Sequence, residues 1–119
     1  MNNNKILVVD NELEILNVLQ DVLNILGYAP VVVTSGKDAL EIFEKGKFSL
    51  VITDMVMPDI NGLDLLKEIK KLDSNIPVVI ITGFGSEVIE EAIQAGADGY
   101  IEKPFKIEDI KNILEKNLR

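Results

Sequence analysis

The chain has 119 residues, and its 12 basic and 20 acidic side chains give it a formal charge of −8 at pH 7. It contains no histidine, cysteine or tryptophan, which excludes histidine-ligated metals, disulfides, zinc ribbons and thiol nucleophiles. With 47% hydrophobic and 27% charged residues, the composition is that of a soluble globular protein of one domain. The acid surplus argues against nucleic acid binding, which needs a basic face.

We expect no targeting segment in this sequence. The N-terminal residues lead directly into a strand-like run, so no secretory signal peptide is predicted. No apolar run approaches the roughly 20 residues that a membrane span needs. We therefore expect a cytoplasmic protein without a membrane partner. The last predicted helix ends at the C-terminus, so we expect no effector domain after it.

Continuous apolar runs alternate with apolar residues at helical spacing, so strands should alternate with helices. In chain order the first half predicts a strand over 5–9, a helix over 12–26, a strand over 29–34, a helix from 36 to near 46 and a strand over 50–53. The second half predicts a helix over 62–72, a strand over 77–82, a helix over 86–95, a strand over 99–101 and a helix over 107–118. This alternation predicts a mostly parallel sheet with helices on both faces and right-handed crossovers.

Single residues refine the pattern. Pro30 places the second strand at a sheet edge, because proline cannot donate to a strand ladder. Ser35 and Ser86 precede helical patterns and are predicted helix caps. Ile93 and Ile107 are expected on the buried faces of the fourth and fifth helices.

Most of the acids are typical of a solvated surface, but two positions are not. Asp10 and Asp54 each end a buried apolar run. The carboxyl ends of parallel strands meet at one edge, where ligands bind in open α/β sheets, so these acids should converge with Thr82 and Lys103. Carboxylates beside a hydroxyl and an ammonium suit a hard cation such as Mg²⁺ with a small anion.

Five stretches carry a resemblance to a known family. They are ILVVD at 6–10, DMVMPDING at 54–62, ITG at 81–83, AGADGY at 95–100 and KPF at 103–105. In this order and spacing, the chain resembles the receiver domain of bacterial two-component response regulators, in the stand-alone, CheY-like form. The resemblance covers nearly the whole chain, so the receiver domain is assigned to 1–119. It implies a flavodoxin-like, doubly wound (βα)5 fold with strand order 2-1-3-4-5.

The resemblance implies a phosphoryl site. Asp54 would take a phosphoryl group from the histidine of a partner kinase and become 4-aspartylphosphate. Thr82 would hydrogen-bond a phosphoryl oxygen, and Lys103 would pair first with Asp54 and then with the phosphoryl group. Tyr100 matches the aromatic switch position, whose ring would turn inward when Thr82 moves toward the phosphoryl group. The Lys103–Pro104 bond is expected to be cis.

The resemblance also implies a site for Mg²⁺ (or Mn²⁺). Its ligands would be Asp10, Asn11, Asp54 and the backbone carbonyl of Val56. The family usually has a second acid where this chain has Asn11, so we hypothesise weaker but retained metal binding. Glu12 is a possible neighbour of the metal and could partly compensate.

Two apolar residues are expected to set the lifetime of the phosphorylated state. Val56 and Phe84 lie two residues after Asp54 and Thr82, and would flank the path of an attacking water. Neither side chain can orient a water molecule as an amide or an acid would, so self-dephosphorylation should be slow. We expect no enzymatic activity beyond Mg-assisted self-phosphorylation and this slow reversal.

The expected partners are proteins. The phosphoryl donor would be a sensor histidine kinase or a histidine phosphotransfer protein. It would bind the outward-facing residues of the first helix. A downstream protein would bind the face formed by the fourth helix, the fifth strand and the fifth helix. The domain would be a monomer or a weak phosphorylation-dependent dimer, without direct contact to nucleic acid.

Three other interpretations compete with this one. A flavodoxin-like flavin carrier would need a phosphate loop rich in Ser, Thr and Gly after the first strand, where this chain has acids. A phosphatase similar to the haloacid dehalogenases would need an acid in place of Val56. A receiver-like interaction module that is not phosphorylated is supported only by Asn11.

Overall fold

A computed structural model describes residues 4–83 and 85–118, with the backbone alone at Ser86. Strands and helices alternate along the described chain, as the apolar pattern predicts. The strands are β1 (Lys5–Val9), β2 (Ala29–Val33), β3 (Leu50–Asp54), β4 (Val78–Thr82) and β5 (Gly99–Glu102). The helices are α1 (Leu13–Ile25), α2 (Gly36–Ile42), α3 (Gly62–Leu72), α4 (Ser86–Gln94) and α5 (Ile107–Asn117).

The five strands form one parallel sheet in the order β2-β1-β3-β4-β5. This order confirms the doubly wound, flavodoxin-like fold. β2 lies at the edge of the sheet, where Pro30 stands opposite Ile6 and where proline is tolerated. The chain reverses its direction of winding between β1 and β3, which makes the carboxyl ends of these two strands the switch point.

Two apolar layers enclose the sheet, because successive residues of a strand point to opposite faces. Ile6 and Val8 of β1 lie in a buried cluster with residues of α1 and α5. Leu7 and Val9 lie in a second cluster with residues of α2 and α3. With both faces covered by helices, the polar residues that end the strands are presented at one edge of the sheet.

Two predictions about the ends of the helices are wrong in detail. α2 ends at Ile42, earlier than predicted, because Phe43 leaves the helix with extended backbone and its ring stacks on Phe48 with centroids 6.1 Å apart. Gly85, and not Ser86, is the N-cap of α4.

The predicted burial of two isoleucines is also wrong. Ile93 is 46% exposed and Ile107 is 45% exposed. Ile93 follows the fully buried Ala92, which carries the contact of the short helix α4 with the sheet, and one residue turns a helix by about 100°. Ile107 is the first residue of α5 and precedes the turns that reach the core.

No helix within the described ranges is both long enough and apolar enough to cross a membrane.

Candidate functional site

The ends of four strands bring the predicted site residues together. Asp54 and Thr82 are the last residues of β3 and β4. Asp10 directly follows β1, and Lys103 directly follows β5. The Lys103 N–H donates to the Thr82 carbonyl oxygen at 2.8 Å, which continues the ladder between β4 and β5 up to the site. The predicted convergence at this edge of the sheet is therefore confirmed for these four positions.

Three carboxylates form a cluster at this edge. One oxygen each from Asp10, Glu12 and Asp54 lies within 4.8 Å of the others. Asp10 is fully buried and Asp54 is 6% exposed, whereas Glu12 is an exposed side chain. Two buried carboxylates at this separation repel by about 4 kcal/mol at an effective dielectric of about 20. Such an arrangement is costly unless positive charge is supplied.

Backbone hydrogen bonds orient the two buried acids. Asp10 Oδ1 accepts from the Glu12 N–H at 2.9 Å, so Asp10 also helps to begin α1. Asp54 Oδ1 accepts from the Met55 N–H at 2.8 Å. In both residues Oδ2 then faces the cluster. Asp10 Oδ2 is buried and makes no hydrogen bond with any part of the chain that the structure describes.

Lys103 is the cation of the cluster. Its Nζ lies 2.9 Å from Glu12 Oε1, 3.2 Å from Asp10 Oδ2 and 3.5 Å from Asp54 Oδ2. The Lys103 side chain is only 16% exposed. The expected contact between Lys103 and Asp54 is present, but the shortest one is with Glu12. The sequence analysis missed this ion pair, although the position of Glu12 at the start of α1, beside Asp10, was its signal.

The electrostatics of the cluster shift two pKa values upward. Burial raises the pKa of Asp54 above its ordinary value, the negative charge of Asp10 adds to this, and Lys103 opposes it. Burial alone would lower the pKa of Lys103, but the hydrogen bond to Glu12 and the charges of Asp54 and Asp10 outweigh it, so this pKa is also raised. Lys103 is thus held firmly as a cation, while Asp54 gives up its proton less readily than an exposed acid.

The loop after β3 depends on a glycine. The Gly62 N–H donates to the Met55 carbonyl oxygen at 2.8 Å, which closes the loop 55–61 onto the start of α3. A Cβ on Gly62 would collide with the Asp54 carbonyl oxygen and lie 2.8 Å from Met55 Cα. Only glycine allows this approach of α3 to the backbone of Asp54. Asn61 caps the helix by accepting from the Asp64 N–H at 2.8 Å.

An open cleft of about 390 Å³ lies over the cluster. The residues lining it are Asn11, Glu12, Asp54, Val56, Gly83 and Lys103. Asn11 and Val56, the two predicted metal-site residues outside the acidic cluster, therefore lie at the same cleft. Phe84, the second residue predicted to control lifetime, lies outside the described residues.

Thr82 and Tyr100 lie at different depths. Thr82 is fully buried at the end of β4. Tyr100 is 44% exposed and lines a second open cleft of about 460 Å³ between β5 and α5. The Lys103–Pro104 peptide bond is cis, as the resemblance implies.

The cluster suits a metal ion. Carboxylate and carbonyl oxygens are the ligands that hard divalent cations prefer. The buried Asp10 Oδ2 has one contact with a cation, Lys103, and no hydrogen bond from a described residue, so it retains the capacity for a metal ligand. The described residues therefore fit a divalent cation between Asp10 and Asp54.

A sheet of this order, with buried acids and a lysine at its carboxyl edge, defines a class of signalling domain. The family model of the response regulator receiver domain matches residues 6–115, and the chain belongs to this family. Its function is that of a receiver domain in phosphorelay signalling. Receiver domains accept phosphoryl groups from histidine kinases and act on downstream partners. The assignment replaces the interpretations as a flavin carrier and as a phosphatase.

Relatives of two different lengths are similar in sequence to this chain. The chain is 38% identical over 119 residues to sporulation initiation phosphotransferase F of Bacillus subtilis, covering 99% of this chain and 96% of that protein. It is 40% identical over 114 residues to the transcriptional regulatory protein ZraR of Escherichia coli, covering 95% of this chain but only 26% of that protein. The first relative is thus of the same length, whereas the second is much longer.

Solved structures show the same architecture. A response regulator receiver domain protein of Clostridium thermocellum is 35% identical, with a TM-score of 0.91 and coverage of 96% of this chain and 93% of that one. The receiver domain of the sensor histidine kinase PA1611 of Pseudomonas aeruginosa is 25% identical, with a TM-score of 0.88 and 98% coverage of both chains. That structure is described as having a magnesium ion coordinated in its active site cleft.

Proposed function

We propose that Asp54 is the phosphoacceptor of this receiver domain. The observation that carries the proposal is the placement of its Oδ2, which lies 3.5 Å from Lys103 Nζ in a nearly buried position at the end of β3. A carboxylate that faces a fixed cation at the mouth of a cleft has the position of a nucleophile for a phosphoryl group.

The transfer needs one bond made and one broken. Asp54 Oδ2 attacks the phosphorus of a phosphohistidine, the P–N bond breaks, and its electron pair returns to the imidazole of the partner. The Met55 N–H keeps its hydrogen bond to Oδ1, so the backbone orients the carboxylate and with it the attacking oxygen, Oδ2. Lys103 then contacts the phosphoryl oxygens, and the hydroxyl of Thr82 at the end of β4 hydrogen-bonds one of them. Asp54 reacts as the carboxylate, whose pKa burial raises when no cation is bound and which a divalent cation beside it would favour.

We propose Mg²⁺ (or Mn²⁺) as the metal ion of this site. Asp10, Asp54 and the Val56 carbonyl would hold it, with the Asn11 amide at the same cleft. A cation held there would supply positive charge against the charge that develops on the transferred phosphoryl group. Glu12 is the third carboxylate of the cluster, but its pairing with Lys103 at 2.9 Å makes it a competitor for the lysine as well as a metal-site neighbour.

The output would pass through the exposed side of β5. Tyr100 would turn inward when Thr82 moves toward the phosphoryl group, which would change the face formed by α4, β5 and α5 that binds a downstream protein. The kinase or phosphotransfer protein, acting in the cytoplasm, would contact exposed residues of α1. Among them are Leu13, Glu14, Asn17, Val18 and Asp21.

The phosphorylated state should be long-lived. Val56 is 54% exposed at the cleft and offers no polar group that could orient a water molecule. The domain would then catalyse nothing beyond its own phosphorylation and slow dephosphorylation. Replacement by an amide (Val56→Asn) should shorten the half-life of phosphate release by roughly tenfold. This is less than the rate effect of a fully positioned general acid or base. An unchanged half-life in this variant would contradict this role of Val56.

Incubation with a small phosphodonor and Mg²⁺, followed by intact-mass measurement, tests the proposed phosphorylation. We expect a gain of one phosphoryl group in the wild-type protein and none in Asp54→Ala. No gain in the wild type at saturating Mg²⁺ would instead favour an interaction module that is not phosphorylated.

A further inference from the structure

The loop 55–61, which connects β3 to α3, is held by a second helix. Asp59 lies in this loop, and its carboxylate reaches the start of α2. Oδ2 accepts from the Lys37 N–H at 2.8 Å, and Oδ1 accepts from the Gly36 N–H at 3.2 Å. The two oxygens thus take two successive backbone N–H groups that would otherwise have no partner within the helix.

The contact between the Asp59 carboxylate and the start of α2 is electrostatically favourable. A carboxylate at a helix N-terminus interacts with the positive end of the helix dipole, and hydrogen bonds to a charged acceptor are stronger than neutral ones. The hydrogen bond from Lys37, joined by that from Gly36, lowers the pKa of Asp59 although the side chain is exposed. Asp59 is therefore ionised while it holds the loop against α2.

Apolar packing supports the same contact. A Cβ on Gly36 would collide with the side chain of Ile60, so the absence of a side chain at Gly36 lets the loop lie directly on α2. Met57, in the middle of the loop, is buried among residues of the sheet and of α2 and α3. The far end of the loop is closed by the bond from Gly62 to Met55.

These contacts fix the loop on both sides of Val56. Val56 lines the site cleft, and its carbonyl is the proposed backbone ligand of the metal. A backbone ligand gives its full affinity only if the loop is ordered before the cation arrives, because ordering it on binding costs conformational entropy.

We propose that Asp59 is a positioning residue, which fastens the loop 55–61 to α2 and so preorganises the Val56 carbonyl for the divalent cation. This inference rests on the proposed metal site, and it assigns to α2 a part in a reaction whose other groups lie at or shortly after the carboxyl ends of the strands. Loss of the Asp59 contact should weaken cation binding without removing any ligand.

The test compares Asp59→Ala with Asp38→Ala. Asp38 is an exposed acid in the first turn of α2, so its removal takes the same charge from the same helix end but leaves the loop contact intact. Calorimetric titration with Mg²⁺ should give a dissociation constant about tenfold higher for Asp59→Ala, at the lower end of what is typical for residues that orient metal ligands. Asp38→Ala should bind like the wild type.

A second measurement separates positioning from general destabilisation. At saturating Mg²⁺ the phosphorylation rate of Asp59→Ala should return close to that of the wild type, because the bound cation orders the loop. Amide hydrogen exchange in the metal-free variant should be faster in 55–61 and unchanged in β1. In Asp59→Asn one acceptor oxygen remains, so its affinity should be intermediate, and this variant decides the question if Asp59→Ala does not fold.

The outcomes distinguish the inference from the function on which it rests. If the wild type gains no phosphoryl group and binds no Mg²⁺, the proposed function is wrong. If the wild type does both, and Asp59→Ala or Asp59→Asn binds Mg²⁺ as tightly as Asp38→Ala, the role of Asp59 is wrong.

Discussion

A lysine contacts carboxylates at each end of the parallel strands, but the charges balance at one end and not at the other. We call these two ends the amino edge and the carboxyl edge of the sheet. At the amino edge, Lys70 Nζ lies 2.8 Å from Asp98 Oδ2 and donates to the Ile76 carbonyl oxygen at 2.7 Å. Asp98 Oδ2 also accepts from the Val78 N–H at 2.9 Å. One cation meets one anion, and the pair ties α3 to the loops that begin β4 and β5.

At the carboxyl edge, one ammonium faces three carboxylates. Lys103 contacts Glu12, Asp10 and Asp54, which leaves a formal excess of two negative charges. The Asp10 oxygen that faces the cluster makes no hydrogen bond with a described residue. The balanced edge has the character of a structural contact, whereas the unbalanced edge has spare capacity for a cation and a phosphoryl group. Residues at functional sites often reduce stability in this way.

The largest expected difference between the edges is in phosphoryl transfer. Lys103→Met should slow phosphorylation by a small phosphodonor by at least about a hundredfold, which is typical for loss of one preorganised group that stabilises a transition state. Lys70→Met removes the same charge from the other edge and should leave the rate unchanged. Initial rates of mass gain at saturating Mg²⁺ measure both. An equal loss of phosphorylation rate in the two variants would contradict the assignment of phosphoryl transfer to the carboxyl edge.

The next largest difference is in stability without metal. Asp10→Asn should raise the free energy of unfolding by about 1 kcal/mol, because it relieves charge repulsion while its amide oxygen still accepts from Glu12. Asp98→Asn should lower it by about 1 to 2 kcal/mol, because Lys70 loses its charge partner. Urea unfolding followed by circular dichroism gives both values. A loss of stability in both variants would mean that the cluster at Lys103 is as balanced as the pair at Lys70.

The fold could be predicted from the sequence because its apolar pattern is regular. Continuous runs in the central strands and helical spacing between them place every element within a few residues. What failed were local details. Phe43 fits a helical stripe, and only the ring of Phe48 shows that the chain must leave the helix there. Ile93 and Ile107 fit apolar stripes too, but a short helix and a helix start bury less than the pattern predicts.

The site could be predicted in part. Acids that directly follow apolar runs are visible in the sequence, and parallel strands bring their ends together, which placed Asp10 and Asp54. The ion pair of Glu12 with Lys103 was missed although Glu12 stands near Asp10 in the sequence, because Glu12 and Lys103 are far apart in the chain and their distance depends on how α1 begins. The contact of Asp59 with α2 was missed for the same reason, since it depends on the path of an irregular loop.

A smaller effect is expected from adding a fourth acid to the three carboxylates of the cluster. Asn11 is exposed and lines the cleft beside Glu12. Asn11→Asp would replace its neutral amide with a negatively charged carboxylate that can bind the metal. Mg²⁺ affinity should rise by about fivefold, since the charge of the ligands tunes affinity for hard cations. Asn17→Asp, the same change at an exposed position further along α1, should have no such effect. Equal affinities of Asn11→Asp and wild type in a Mg²⁺ titration would contradict the hypothesis that Asn11 weakens binding.

The smallest effect is in the pH dependence of stability, where Asp54 and Asp59 should act with opposite signs. The pKa of Asp54 is raised by burial and by Asp10, so the folded state holds this proton more tightly than the unfolded state does. Its contribution to stability is present below the unfolded pKa of about 3.9 and is lost as pH rises through the raised value.

The pKa of Asp59 is lowered by the N–H groups of α2, so its contribution is present above the same unfolded pKa and is lost as pH falls. Between pH 3 and 7, unfolding free energies measured without Mg²⁺ should therefore rise more steeply with pH in Asp54→Asn than in the wild type, and less steeply in Asp59→Asn. A shift of both variants in the same direction would contradict this assignment, because the two aspartates differ in what surrounds them: at Asp54 burial and a second acid favour the proton, while at Asp59 two backbone donors favour the charge.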